Sequence, residues 1–174
     1  LQLLLRLYDP RSGVVRIGGE DLRTLVADDL HRQVALLEQN APVFIDTVRG
    51  NLLIGDPAAD DRRLWQVLED AKLADFVRSL PRGLDTMLGE TGKTLSAGQA
   101  RRLCLARTML SPARIVLLDE PTSGLDRETE CAFLADIEHV LAGRSVVLVT
   151  HADLPARSGM RVLTLKDGRL EEKP

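Results

Sequence analysis

The apolar positions of this chain follow two periods. From residue 112 to the end, short unbroken apolar runs alternate with a helical pattern. Ile115-Val116-Leu117-Leu118 runs straight into Asp119 and Glu120, and Ser145-Val146-Val147-Leu148-Val149 runs into Thr150 and His151. Runs of this kind read as strands buried on both faces, as in a parallel sheet. Between them, residues 127 to 141 repeat with helical spacing. Val162 to Leu165 and Leu170 read as a closing hairpin around Lys166-Asp167-Gly168-Arg169.

The first third carries one more such run, Val34 to Leu37, which delivers Glu38 and Gln39 to a loop. Before it the pattern predicts an opening helix, Leu1 to Leu7, ended by Asp9-Pro10-Arg11-Ser12-Gly13. A short strand over Val14 to Ile17, a Gly18-Gly19 turn and a short helix opened by Asp28 and Asp29 follow. The middle is helical. Asp46 or Thr47 caps one helix. Asp60 or Asp61 caps the next, with Leu64, Val67, Leu68 and Ala71 on one face and Trp65 beside it. Phe76, Val77 and Leu80 belong to a short helix stopped by Pro81 and Gly83. A longer one runs from Ser96 to Leu110 and ends at Pro112. Strand–helix–strand alternation gives an α/β class with a mostly parallel sheet flanked by helices and a helical insertion. The expected division is 1–48 with 112–174 as one part and 49–111 as the other.

Composition narrows the classes. A chain of 174 residues fits one domain with a subdomain. The net charge is −3 and no basic stripe stands out, which argues against nucleic acid as the partner. No apolar run approaches the roughly 18 residues of a membrane span. Cys104 and Cys131 lack metal-type spacing and sit in helical segments, so both are expected as buried free thiols. The chain opens inside an apolar helical pattern without Met or a cap, so we expect the preceding part of a larger protein to be missing.

Two acids at the exit of a buried strand sit where open α/β sheets place their ligands. Asp119 can help hold Mg²⁺, and Glu120 can orient a water for attack on a phosphate. His151 also follows a buried strand, and its ring can donate to a phosphate. Gln39 follows a third, where an amide can coordinate Mg²⁺ or position water. Ser96-Ala97-Gly98-Gln99 opens a helix, and free N–H groups at a helix start bind anions. Each of these has a plain structural alternative: a solvated Asp-Glu turn, a structural His, an exposed loop Gln, a Ser-capped helix. Arg101 and Arg102 read as solvated on the helix surface. Gly92-Lys93-Thr94 imitates the end of a P-loop. The pattern, however, needs Gly where Met87 stands, and no strand leads into it.

Taken in order, these segments resemble the nucleotide-binding domain of an ABC transporter. Leu95-Ser96-Ala97-Gly98-Gln99 is similar to the LSGGQ signature, and Ile115 to Glu120 to Walker B with its catalytic Glu. Ser123-Gly124-Leu125-Asp126 is similar to the D-loop. Gln39 matches the Q-loop and His151 the switch-loop His. Residues 3–13, 44–51 and 83–99 resemble the exporter branch. Ala100-Arg101-Arg102-Leu103 is faintly similar to bacterial thiol exporters linked to cytochrome bd assembly.

The resemblance implies a P-loop NTPase-like fold whose N-terminal β part and P-loop strand lie before Leu1. It implies ATP and Mg²⁺ as ligands, with Asp119 and Gln39 at the metal and Glu120, His151 and Gln39 at the γ-phosphate. Ser96, Ala97, Gly98 and Gln99 would serve the ATP held mainly by a second such domain, identical or not, and Asp126 would couple the two sites. The other implied partner is a transmembrane domain, at the cytoplasmic face of the inner membrane. Two departures stand out: Ala97 replaces the signature's first Gly, and Walker A is absent. The chain alone is therefore expected to be inactive and its parent to hydrolyse ATP to drive export. A soluble ABC-type ATPase of DNA repair or translation is the alternative. A non-catalytic scaffold is a third, against which Glu120 and His151 both argue.

Overall fold

The computed structural model describes residues 1–89, 95–123, 127–151 and 160–172, with the side chains of residues 128, 129 and 138 excepted. Three parallel strands form the sheet that matters, β3 (Val34–Leu37), β4 (Ile115–Asp119) and β5 (Ser145–Val149). Leu37 pairs with Leu118, and Asp119 pairs with Val149, so the three strands end together. Two small hairpins accompany them. β1 (Arg16–Ile17) pairs with β2 (Glu20–Asp21), and β6 (Leu163–Lys166) pairs with β7 (Arg169–Glu172). The helices are α1 (Ala27–Gln33), α2 (Val48–Leu53), α3 (Asp61–Asp70), α4 (Ala74–Ser79), α5 (Ala97–Leu110) and α6 (Arg127–Val140).

The strand period decides the core. Val116, Leu117 and Leu118 are all completely buried, and successive side chains leave β4 on opposite faces. Val116 and Leu118 join the large cluster built by α2 to α6, with Phe133 and Ile137 of α6 on it. Leu117 enters a smaller cluster with Leu5, Leu22, Leu30 and Val34. Each fully buried Leu contributes roughly 1.5–3 kcal/mol relative to exposure. Local chemistry sets the helix starts. Thr47 accepts from the Gly50 N–H, and Asp60 accepts from the Arg63 N–H at 2.8 Å. Leu64, Val67 and Leu68 of α3 then fall on one buried face.

Three expectations are corrected. Residues 1–7 form irregular turns rather than a helix. Arg6 takes φ +51° and donates to the carbonyls of Leu22 and Leu25, while the Leu7 N–H reaches back to Gln2. A long-range guanidinium bond thus overrides the local pattern. β5 forms as predicted, but Val146, Val147 and Val149 are exposed. Among the described residues it pairs only with β4, so its outer edge has no neighbour to bury it.

The third correction concerns the thiols. Cys104 is buried, but Cys131 is exposed. Phe133, Ile137 and Leu141 are the buried side of α6, and Cys131, two positions before Phe133, lies about 200° round the helix from it. Burial also pushes the Cys104 thiol pKa up, against the pull of Arg107 and Arg101. Because the thiolate is the nucleophile, iodoacetamide at neutral pH labels Cys131 at least about tenfold faster than Cys104 in the native full-length protein. Peptide mass mapping over a time course reads both rates, and equal rates would contradict this packing.

Candidate functional site

The site is assembled by strand ends. Gln39 lies two residues beyond β3, Asp119 closes β4 with Glu120 next, and His151 lies two residues beyond β5. Since the three strands are parallel, adjacent and in register, all four residues come out at one edge of the sheet. That is the carboxyl edge, where polar side chains can meet a ligand without sacrificing core.

Glu120 turns the chain. Its φ of +45° is a left-handed conformation that a side chain adopts at a cost of roughly 1–2 kcal/mol. Two backbone bonds hold it there. The Glu120 N–H donates to Val149 O at 2.9 Å, and the Ser123 N–H donates to Glu120 O at 3.0 Å. The carboxylate is pinned close to the sheet, with its side chain 15% exposed. Its Oε1 is buried and, among the described residues, has no hydrogen-bond partner. The His151 Nε2 lies 3.4 Å from that oxygen. This is an ion-pair separation for a charged ring but does not meet hydrogen-bond geometry. The His151 side chain itself is almost fully exposed. A shielded carboxylate oxygen without a donor is a costly state for folding alone. It fits a group that takes its donor from a bound water or ligand.

Gln39 is also exposed, and its amide Nε2 donates to Ser123 Oγ at 3.2 Å. The loop after β3 is thereby tied to the loop after β4. The sequence reading did not foresee this contact, because the two residues are far apart in the chain and neither carries a local signal.

At the start of α5, Ser96 Oγ accepts from the Gln99 N–H at 3.2 Å, and Gln99 Oε1 accepts from the Ser96 N–H at 3.0 Å. This reciprocal capping box satisfies helix-start donors internally. Ala97 is exposed, and a Cβ added at Gly98 would meet nothing within 4 Å. Packing within this chain therefore does not require glycine there, and the helix start stays open to an incoming group. Among the described residues, neither Ser96 nor Gln99 bonds to Asp119, Glu120 or His151. The structure brings Gln39, Asp119, Glu120 and His151 together and leaves the helix start as a separate element. Asp126, Gly92, Lys93 and Thr94 lie outside the described residues.

Arg101 and Arg102 are half-buried and engaged with other elements rather than simply solvated on the helix surface. Arg101 Nη1 donates to the carbonyls of Glu38, at 3.1 Å, and of Gln39, while Nη2 donates to Ser123 O at 3.3 Å. Arg102 Nη1 donates to Ala71 O and pairs with Asp136 of α6 at 2.9 Å, and its guanidinium lies 5.7 Å from the Phe133 ring centroid. Arginine spacing on α5 alone could not reveal these partners, four of which are main-chain carbonyls remote in the chain while Asp136 and Phe133 lie on α6.

No three His, Cys, Asp or Glu side chains gather into a metal cluster among the described residues. The donor set at the strand ends, the Asp119 carboxylate and the Gln39 amide, is of the oxygen-ligand kind that shares an ion with substrate phosphates and waters.

Comparison with known proteins gives a consistent picture. The family model described as ABC transporter matches residues 1–123. The chain is 34% identical to P-glycoprotein 14 of Caenorhabditis elegans, covering 98% of this chain and 13% of that protein. It is 37% identical to the mitochondrial iron-sulfur clusters transporter ATM1 of Saccharomyces cerevisiae, covering 99% and 25% respectively. With the ATP-dependent lipid A-core flippase of Syntrophus aciditrophicus it shares 34% identity, covering 99% and 29%. Among solved structures, a bacterial Atm1-family ABC exporter with ATP bound superposes with a TM-score of 0.86 at 32% identity, covering 97% of this chain and 30% of that one. The chain thus spans less than a third of the length of these relatives.

Proposed function

The chain belongs to the ABC transporter family, and from that premise we propose that it is the ATP-binding and hydrolysing part of an exporter. The observation that carries the reading is the buried, donorless Oε1 of Glu120, set beside His151 and on the same sheet edge as Asp119 and Gln39. Asp119 and Gln39 would hold Mg²⁺, which when bound neutralises charge on the phosphates. Glu120 accepts a hydrogen bond from the attacking water and polarises it. His151, free to swing because it is exposed, donates to the phosphate side.

Residues 96–99 serve the nucleotide of a second copy or a related domain, and Asp126 couples the paired sites. We assign 1–48 with 112–174 to the ATPase core and 49–111 to a helical lobe that meets the membrane part. No helix among the described residues is long and apolar enough to cross a membrane. The membrane part is proposed to belong to the same parent chain, with this domain at the cytoplasmic face of the inner membrane. Exporter names among the relatives favour this reading over a soluble ATPase.

The 174 residues hold no complete P-loop pattern, so the backbone cradle for phosphates is not among them. The test compares phosphate release by this chain alone with that of the full-length parent. The parent turns over ATP with Mg²⁺, and the chain alone shows less than about a hundredth of that rate, since the cradle supplies most of the phosphate positioning. A parent that turns over no ATP would refute the assignment, and robust turnover by the isolated chain would refute its expected inactivity without a P-loop.

A further inference from the structure

Arg101 stands two residues past the Ser96–Gln99 helix start and carries a guanidinium aimed at three main-chain carbonyls. Two of them, Glu38 and Gln39, belong to the loop after β3, and the third, Ser123, belongs to the loop after β4. The same two loops are joined a second time by the Gln39 amide on Ser123 Oγ. A guanidinium presents five donors in a fixed plane, so it can hold carbonyls of two loops in one relative placement. Farther along α5, Cys104 and Arg107 reach the carbonyls of Ala41 and Pro42 in the same loop, but among the described residues it is Arg101 that bonds Glu38 and Gln39 themselves, and the turn bond from the Ala41 N–H to Glu38 O lies inside the loop.

We propose that Arg101 is a positioning residue that locks the helix start at Ser96–Gln99 to the loop carrying Gln39, so that the two move as one piece. This rests on the reading of the site as an ATPase. A shift of Gln39 toward or away from its phosphate would then be carried to the helix start that serves the paired site. Arg101 touches no nucleotide. It acts through Gln39.

The experiment is a double-mutant cycle in the full-length parent, in its membrane-reconstituted form. Arg101→Ala lowers kcat for ATP by about tenfold and leaves KM within about twofold, the signature of lost positioning rather than lost binding. In a Gln39→Ala background the same substitution costs less than about threefold, because the group it positions is already gone. Arg101→Lys, which keeps a donor but not the fork, recovers part of the lost kcat. Amide exchange gives a readout independent of turnover: the Ala41 N–H exchanges faster in Arg101→Ala, while residues 103–110 keep their protection.

Costs that multiply across the cycle, or unchanged exchange at Ala41, would overturn the proposal. So would a Lys variant as impaired as the Ala variant with an equal fall in melting temperature, which marks a purely structural role. A parent that turns over no ATP at all would instead overturn the ATPase reading itself.

Discussion

Glu120→Gln in the full-length parent lowers ATP turnover by about 10²–10⁴-fold while ATP affinity stays within about threefold. The substitution keeps the shape of the side chain and one acceptor oxygen, so the left-handed turn at residue 120 and its bonds to Val149 and Ser123 persist. What it removes is the negative charge that polarises water. An amide NH₂ placed where the donorless Oε1 now sits would face water as a donor. Binding survives because Asp119 and Gln39 are untouched. With hydrolysis blocked and binding intact, the nucleotide-bound state of the paired domains accumulates. Phosphate release gives the first quantity, and equilibrium binding of labelled ATP gives the second. Turnover within about twofold of the parent would remove Glu120 from the mechanism.

Asn51→Ala is expected to destabilise the domain by roughly 2–3 kcal/mol, the upper part of the range for leaving buried polar groups without partners. Asn51 is completely buried on α2, and its amide is fully used. Oδ1 accepts from the Phe44 N–H and from Arg107 Nη2, each at 2.9 Å, and Nδ2 donates to the carbonyls of Phe44 and Thr47, each at 3.0 Å. Arg107 completes the unit, donating through Nε to Asn51 O and through Nη1 to Pro42 O, with its guanidinium 5.0 Å from the Phe44 ring centroid.

Burial pulls the Arg107 pKa below its ordinary value, the sign of a cation already short of solvent. Truncating Asn51 removes the acceptor of Arg107 Nη2 and the side-chain partners of the Phe44 N–H and of the Phe44 and Thr47 carbonyls, while Arg107 keeps its bonds to the Asn51 and Pro42 carbonyls. Thermal unfolding of the parent, followed by a probe within this domain, checks the size. Asn51→Asp is the informative companion, since it returns an acceptor to Arg107 while losing both donors. A melting temperature unchanged in the Ala variant would show that the network is not holding the segment 42–51.

What could be read from the sequence was what depends on neighbours along the chain. The caps at Thr47, Asp60 and Ser96 were legible because capping is a contact over three residues. The acids after β4 and the His after β5 were legible because an apolar run that stops at a polar residue marks the end of a buried strand. Their convergence with Gln39 followed from the parallel register.

The rest depended on groups remote in the chain. Arg101 looked solvated because its acceptors are carbonyls of two other loops, and carbonyls leave no mark in a residue pattern. The leucines of residues 1–7 imitate a helix, yet Arg6 is drawn onto the Leu22–Leu25 turn and the backbone bends to follow. Cys131 and the valines of β5 were misjudged for one reason. Apolar content says that a face could be buried, and only the neighbours decide whether it is.

The turn at Glu120 sets foldability against chemistry at a single residue. Glycine would adopt φ +45° without strain, and asparagine at less cost than most side chains, so a chain selected only for stability would not place glutamate there. The carboxylate is retained against the local backbone preference. A substitution that relieves the turn at position 120 would therefore gain stability at the expense of turnover, whereas relief at Lys72 or Asp167, which share the left-handed φ, would leave the strand-end site untouched.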